Sequence, residues 1–275
     1  MSRVDYRNQT TLLTGASAGI GAEFARALAA RGSDLVLVAR RAQRLENLAA
    51  ELEAAHGIKV TAVPADLSSR GAGTAVAQQV RDLDITVTSL VNCAGFGTFG
   101  PFHTEQPQRL ADEIAVDVSA VVDLTRAFIG DLRAAGTGFL INVASMAAYQ
   151  PTPNMAVYGA AKAFVLSFTE ALWQESLGTG LRVLALSPGA TDTEFFDVVG
   201  TTDAAGSMRL QSAREVVDTA LRALDRRNPP PSAVVGRVNK IALLAQRLAS
   251  RRRTILTLAA MTKSNPERDR LDKVR

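Results

Sequence analysis

Seven short runs rich in Val, Leu and Ile alternate along this chain with longer stretches of helical period. The runs are Thr10–Leu13, Leu35–Ala39, Val60–Val63, Ser89–Val91, Phe139–Val143, Val183–Leu186 and Ala233–Val235. Between them lie helical stretches over 19–31, 41–55, 68–81, 108–134, 155–177 and 212–225. A strand that reads as one continuous apolar run is buried on both faces, and a helix after each strand makes the crossover that parallel pairing needs. The pattern predicts a doubly wound α/β domain, with its ligand beyond the carboxyl ends of the strands. At 275 residues, 47% of them hydrophobic, the chain suffices for one such domain plus an appendage. Pro229–Pro231 is a stiff break before the last strand, and no internal repeat interrupts the alternation.

The first run leads straight into TGASAGIG, Thr14 to Gly21. Glycines 15, 19 and 21 let the backbone turn tightly and approach a pyrophosphate at the start of the next helix. A plain strand-to-helix turn is the alternative. The second run ends in LVARR, residues 37–41. An NAD site places an acid here for the ribose hydroxyls; this chain has Ala39, Arg40 and Arg41, and arginine accommodates the 2′-phosphate of NADP. Cations at a helix N-terminus oppose the helix dipole, which favours a bound phosphate over a merely solvated arginine pair.

YGAAK, residues 158–162, sets a phenol and an ammonium one turn apart on a helix face. Alone it is an ordinary helix turn. TGASAGIG, NCAG (92–95), NVAS (142–145), YGAAK and SPGATDT (187–193) follow one another in a fixed order. In order and spacing these motifs resemble the short-chain dehydrogenase/reductase family over about residues 8–236. The resemblance implies a Rossmann fold with a seven-stranded parallel sheet and helices on both faces. It also implies NADP(H) as cofactor and hydride transfer between the nicotinamide and a carbonyl or secondary alcohol. Residues 1–236 are then the catalytic domain and 237–275 a helical extension.

Carried over position by position, the resemblance makes Tyr158 the general acid. Lys162 lowers the phenol's pKa toward the working pH and holds the nicotinamide ribose, and Ser145, thirteen residues before Tyr158, orients the substrate carbonyl. The implied cofactor contacts in the first half are Gly15, Ser17, Gly19, Ile20, Gly21, Arg40, Asp66 and Leu67. Those in the second are Asn92, Ala94, Gly95, Tyr158, Lys162, Pro188, Gly189, Thr191 and Thr193. Asn92 is expected to hold the central strand as well as to line the cleft. Asp117 departs from the pattern, because the family usually has asparagine there, holding a water that links the lysine to solvent. An aspartate adds a negative charge that is expected to raise the Lys162 pKa and alter that relay. No metal is expected.

The segment after SPGATDT carries Phe195, Phe196 and Met208 between Gly200 and Gly206, and resembles the family's mobile cover over the substrate. With Phe96, Phe99 and Tyr149 on neighbouring loops, these aromatics point to an apolar substrate, or else to packing on the domain's own core. His103 reads as a surface histidine and Cys93 as a small buried residue.

The net charge of +4 hides an asymmetry: residues 1–225 hold 18 basic against 24 acidic residues, and residues 226–275 hold 13 against 3. In the basic segment Ile241, Leu244, Ala245 and Leu248 share one helical stripe, and Ile255, Leu258 and Ala259 begin a second. Such helices suit an anionic membrane surface, a partner subunit or a cover over the substrate entrance. The absence of interleaved aromatics argues against nucleic acid. One cysteine allows no internal disulfide, Met1 to Gln9 is polar rather than signal-like, and no run reaches the ~20 apolar residues of a spanning helix. The expected location is cytoplasmic, peripheral to a membrane through the extension. Helices 108–134 and 155–177 resemble the family's dimer-forming pair, so a homodimer or homotetramer is expected. Two other functions stay open: an NAD-linked alcohol dehydrogenase of the same fold, and a weakly active cofactor-binding scaffold or redox sensor.

Overall fold

A computed structural model of the chain describes residues 4–201, 204 and 209–261. Seven strands form one parallel sheet: β1 (Thr10–Thr14), β2 (Asp34–Ala39), β3 (Val60–Pro64), β4 (Ser89–Asn92), β5 (Phe139–Val143), β6 (Arg182–Ser187) and β7 (Ser232–Val234). Their order is β3-β2-β1-β4-β5-β6-β7. The chain reverses direction across the sheet between β1 and β4, and a crevice opens there beyond the strand ends.

The continuous apolar runs have the explanation expected of them. On β1, Leu12 and Leu13 are both fully buried, yet they enter different cores on opposite faces of the sheet. One face is covered by α1 (Gly19–Ala29), α2 (Ala42–His56) and α8 (Ala213–Leu224), through Phe24, Leu28, Leu45, Leu52, Val216 and Leu221. The other is covered by α3 (Ala72–Asp82) and α5 (Ala120–Ala135), through Val76, Val80, Leu124, Phe128 and Leu132. Beside α5 runs α6 (Ala156–Glu175), whose Val165 and Leu166 pack in a third cluster with Val121 and Ala185.

Where the sequence predicts one helix over 108–134, the structure has α4 (Pro107–Ile114), a π turn over Ala115–Ser119 and then α5. A π turn widens the helix by one residue, and such turns cluster at functional sites. Asp117 is at its centre. After β6 a short helix α7 (Phe195–Val199) lies in the expected substrate cover; Gly206 and Met208 fall outside the described residues.

The extension starts directly after β7 with α9 (Arg237–Arg247) and continues with α10 (Arg251–Met261). The α9 helix is turned with its apolar side outward. Asn239, Leu243 and Gln246 face the body, while Val238, Ile241 and Leu244, and Leu248 just past the helix, are exposed. On α10 the expected stripe of Ile255, Leu258 and Ala259 is partly buried. Among the described residues no helix is long and apolar enough to cross a membrane.

Candidate active site

The glycine turn is built by close approach. Gly15 has φ +70°, and a Cβ on it would lie 2.9 Å from the backbone of Ala94. A Cβ on Gly21 would stand 2.1 Å from the carbonyl oxygen of Gly15, and one on Gly19 (φ +53°) 2.9 Å from Cγ2 of Thr193. The turn therefore touches both NCAG and SPGATDT. It is tied to NCAG by Thr14 Oγ1, which accepts from the backbone N–H groups of Cys93 and Ala94 at 3.0 Å each. Ile20 packs at the edge of the core.

Arg40 is exposed, and its charge contributes to holding the Asp66 carboxyl below the usual range, after the backbone bond from Ser68. Asp66 Oδ1 accepts from Ser68 N at 3.0 Å and Oγ at 2.9 Å, and Leu67 is buried in the core beside it. Arg41 is the arginine that reaches the turn: its Nε and Nη2 donate to Ser17 Oγ at 3.2 and 3.0 Å. Arg41 Nη1 and Arg44 Nη1 also pair with Glu194 at 2.7 and 2.6 Å, joining the start of α2 to the segment after β6. The pairing of Arg44 with Glu194 at this corner was not read from the sequence, since nothing in a sequence pairs positions 150 residues apart.

Asn92 is buried, with its amide nitrogen donating to Asn142 Oδ1 at 2.8 Å and Thr125 Oγ1 at 3.1 Å. Asn142 donates onward to Thr169 Oγ1 at 2.9 Å, so a hydrogen-bonded row clamps β4, β5 and α6. On the other side, Pro188 O accepts from Met146 N at 2.8 Å, and Gly189 N donates to Gln211 Oε1 at 2.8 Å. Thr191 Oγ1 donates to Gly189 O, and Thr193 Oγ1 to Thr191 O. A Cβ on Gly189 would lie 2.6 Å from Nδ2 of Asn239, so the first turn of α9 packs on this segment.

Ser145 ends the stretch after β5, and its Oγ accepts from Ala147 N at 3.1 Å. Tyr158 and Lys162 lie on one face of α6, with Lys162 Nζ 5.6 Å from the centre of the Tyr158 ring. Lys162 Nζ donates to Val143 O at 3.3 Å and lies 3.2 Å from Asp117 Oδ2. That contact is a close, buried ion pair. Asp117 Oδ1 accepts from Phe96 N at 3.1 Å. A side chain at Gly95 would fall 2.8 Å from Asp117 and 2.9 Å from Lys162, which explains the glycine of NCAG. Phe195 leans on the Tyr158 ring at 5.4 Å, and with Met155 and Gly97 makes an apolar wall there.

Burial dominates the electrostatics. It pushes the Asp117 carboxyl above its ordinary range, against the pull of Lys162. Burial alone would lower Lys162, but the charges of Asp117 and Tyr158 carry it above its ordinary value, as expected from the aspartate. For Tyr158 the expectation needs correction. Lys162 and the hydrogen bond from Ser145 do favour the phenolate, but burial outweighs them, aided by Asp117 and Glu113, and the pKa rises. The ammonium's pull is opposed in part by Asp117 beside it, and burial is the larger effect.

Glu113 is the group that the sequence reading missed. It is wholly buried on α4 and accepts from Thr98 Oγ1 at 2.8 Å. Its spacing of four residues before Asp117 was the available signal. His103 is exposed, and burial pushes the Cys93 thiol up to about 12. Among the described residues no group of three or more metal-ligating side chains occurs. A cavity of about 1170 Å³ lies between α6, β7 and α9–α10, and neither Tyr158 nor Lys162 lines it.

The short-chain dehydrogenase family model matches residues 9–204, most of the chain. The chain belongs to the short-chain dehydrogenase family. It is an oxidoreductase of that family, which uses nicotinamide cofactors. Among its relatives is the sulfoacetaldehyde reductase of Chromohalobacter salexigens, 35% identical over 78% of this chain and 83% of that protein. The 7beta-hydroxysteroid dehydrogenase of Collinsella aerofaciens is 31% identical over 83% of this chain and 86% of that protein. A short-chain dehydrogenase from Sphingobium yanoikuyae, solved in complex with NADPH, superposes with a TM-score of 0.76 at 34% identity, covering 87% of this chain and 94% of that one.

Proposed function

We propose that this short-chain dehydrogenase uses NADP(H) to interconvert a ketone and a secondary alcohol that carry apolar substituents. The observation that carries the reading is half-buried Tyr158 with buried Lys162 one turn along, near the glycine turn at the carboxyl ends of the sheet. The turn fits a dinucleotide: its three glycines stand where any side chain would strike backbone or Thr193. Arg40 and Arg41 at the end of β2, where residues 37–41 contain no acid, favour the 2′-phosphate, and the NADPH complex of the Sphingobium protein supports the same choice.

The bound nicotinamide supplies or accepts hydride. The protein handles the proton. Ser145 orients the carbonyl oxygen toward Tyr158, and the Tyr158 phenol donates to it as charge develops there. Lys162 holds its positive charge beside Tyr158 while the phenol's proton leaves. Met155 and Phe195 exclude water from this exchange and select apolar groups. Gly15, Ser17, Gly19, Ile20, Gly21, Asp66, Leu67, Asn92, Ala94, Gly95, Pro188, Gly189, Thr191 and Thr193 complete the proposed nucleotide cleft. Several of them act from behind, as Asn92 and Leu67 do by holding the strands and loops that face it.

Calorimetric titration with NADPH and NADH separately tests this. NADPH is expected to bind at least ~30-fold more tightly, about 2 kcal/mol. Tighter NADH binding refutes the cofactor assignment in favour of an NAD-linked enzyme. Tight NADPH binding without turnover over a broad ketone panel favours the scaffold.

Residues 1–236 form the catalytic domain in this reading, and the extension docks it on an anionic membrane surface. The outward apolar side of α9 supports this, since Val238 is 79% and Ile241 66% exposed, with exposed Arg237, Lys240 and Arg251–Arg253 around it. The paired change Ile241→Asp with Leu244→Asp is expected to abolish co-sedimentation with phosphatidylserine vesicles; unchanged sedimentation refutes the membrane role. The outer face of α6, where exposed Phe164 stacks on Phe168 at 5.7 Å, is the proposed homodimer contact.

A further inference from the structure

Two carboxyl groups share the driest part of the site with one ammonium, and the proposed roles leave one of them, Glu113, without a task. It stands one turn before Asp117, at the end of α4, with no solvent exposure. Its Oε2 accepts from Thr98, while Oε1 has no partner among the described residues. A bare oxygen on a buried carboxylate is costly, and a protonated one relieves most of that cost.

The charged groups acting on Glu113 are Asp117 in the π turn and Glu105 in the loop before α4, both negative; Glu113 in turn acts on Tyr158 of α6. Among the described residues no cation is one of them, and Lys162 lies against Asp117. Burial first, then these two acids, push the Glu113 carboxyl up to about 7 against the hydrogen bond from Thr98. Glu105 is half-buried and acts on Glu113 by its charge, and Asp117, one turn after Glu113, lies 3.2 Å from Lys162.

We propose that Glu113 is the proton store of this site, filled from solvent by way of Glu105 and emptied through Asp117 and Lys162 to Tyr158. It rests on the carbonyl chemistry proposed above. Each reduction takes one proton from the Tyr158 oxygen to the carbonyl oxygen, while hydride brings the electron pair to the carbonyl carbon. The phenolate recovers its proton from the Lys162 ammonium. The Lys162 amine takes one through Asp117 from the Glu113 carboxyl, and the Glu113 carboxylate takes one from water at the Glu105 end. Protons balance, with one consumed from solvent per turnover. Glu113 touches neither substrate nor cofactor in this scheme; it is a positioning residue for the proton. It replaces the asparagine-held water that the family pattern places at position 117.

Infrared spectra of the cofactor-free protein test the store independently of turnover. The carbonyl stretch of a protonated, buried carboxyl is expected below about pH 6 and lost by about pH 8. The component that bleaches between about pH 6 and pH 8 is expected to be missing from Glu113→Gln, and in Asp117→Asn to bleach at lower pH because one facing negative charge is gone. Reduction kinetics read the coupling: the wild-type kcat profile falls above about pH 7, whereas Glu113→Gln is slower and flat there, and Glu113→Asp regains the slope. A missing band at low pH, or a wild-type profile retained in Glu113→Gln, overturns the proposal. A wild type that binds NADPH but reduces no ketone defeats the parent reading instead, and leaves the infrared result standing as a test of the store.

Discussion

A carboxyl that keeps its proton inside the folded protein must make stability depend on pH, and Glu113 allows the size and sign to be worked out. Its ordinary pKa of 4.5 rises to about 7 on folding. Each pKa step is worth about 1.4 kcal/mol, so the difference corresponds to about 3 kcal/mol. Between the two values the folded state binds the proton and the unfolded state does not. The contribution is therefore fully present below about pH 4.5 and is lost as pH rises through about 7. Glu113→Gln keeps a Thr98 acceptor but cannot titrate. Urea unfolding of both proteins across this range, with equal slopes against denaturant, isolates the group by difference, since every other titration is common to both. The stability of wild type minus Glu113→Gln is expected to be level below about pH 4.5 and to fall by about 3 kcal/mol by about pH 8. Parallel curves refute the reasoning. So does a difference that grows with pH, because that is the signature of a carboxylate stabilised by charge pairing.

Three other changes test separate parts of the site. Gly21→Ala puts a methyl 2.1 Å from the Gly15 carbonyl oxygen, so the turn must open; NADPH binding is expected to be lost in calorimetry, with a stability cost of about 1–3 kcal/mol in urea. Lys162→Met leaves Asp117 buried without its cation and is expected to cost about 3–5 kcal/mol at alkaline pH, and less in acid where Asp117 takes up a proton. Glu194→Gln releases Arg41 and Arg44 at an exposed corner; stability should change by less than about 1 kcal/mol, while NADPH affinity rises a few-fold and NADH affinity does not.

The sheet was legible because its five inner strands, β1, β2, β4, β5 and β6, are buried on both faces, so burial leaves a continuous apolar run such as LVLVA on β2. The glycine turn was legible for a related reason: backbone contact excludes every side chain at Gly15 and Gly21, and that restriction is visible residue by residue. What stayed hidden depends on partners distant in the chain. Thr14 looks like any strand-end threonine until NCAG is folded against it. The π turn leaves no composition signature, because Ala-Val-Asp-Val-Ser fits an α-helix equally well and Asp117's burial beside Lys162 becomes visible only in three dimensions. The stripe of α9 was read correctly as a stripe, but periodicity alone cannot say whether an apolar face turns inward or outward, and here it turns outward.

The same hidden charge decides how this site should treat its two directions. Reduction needs a phenol that holds a proton, and oxidation needs a phenolate that can accept one. An uncompensated Lys162 would favour the phenolate. Here Asp117 lies 3.2 Å from that ammonium and opposes its pull on Tyr158, and burial, the larger cause, raises the phenol's pKa. Alcohol oxidation is therefore expected to climb about ten-fold per pH unit on the alkaline side before it levels, while reduction needs no such rise. Asp117→Asn removes the opposing charge, so the midpoint of the oxidation profile is expected to move to lower pH. The folding cost of that change does not enter a pH midpoint, which makes kcat/KM for oxidation, measured in both proteins against pH, the appropriate readout. A midpoint that stays in place or moves upward in Asp117→Asn shows that the aspartate does not govern the phenol, and that Tyr158 answers to burial alone.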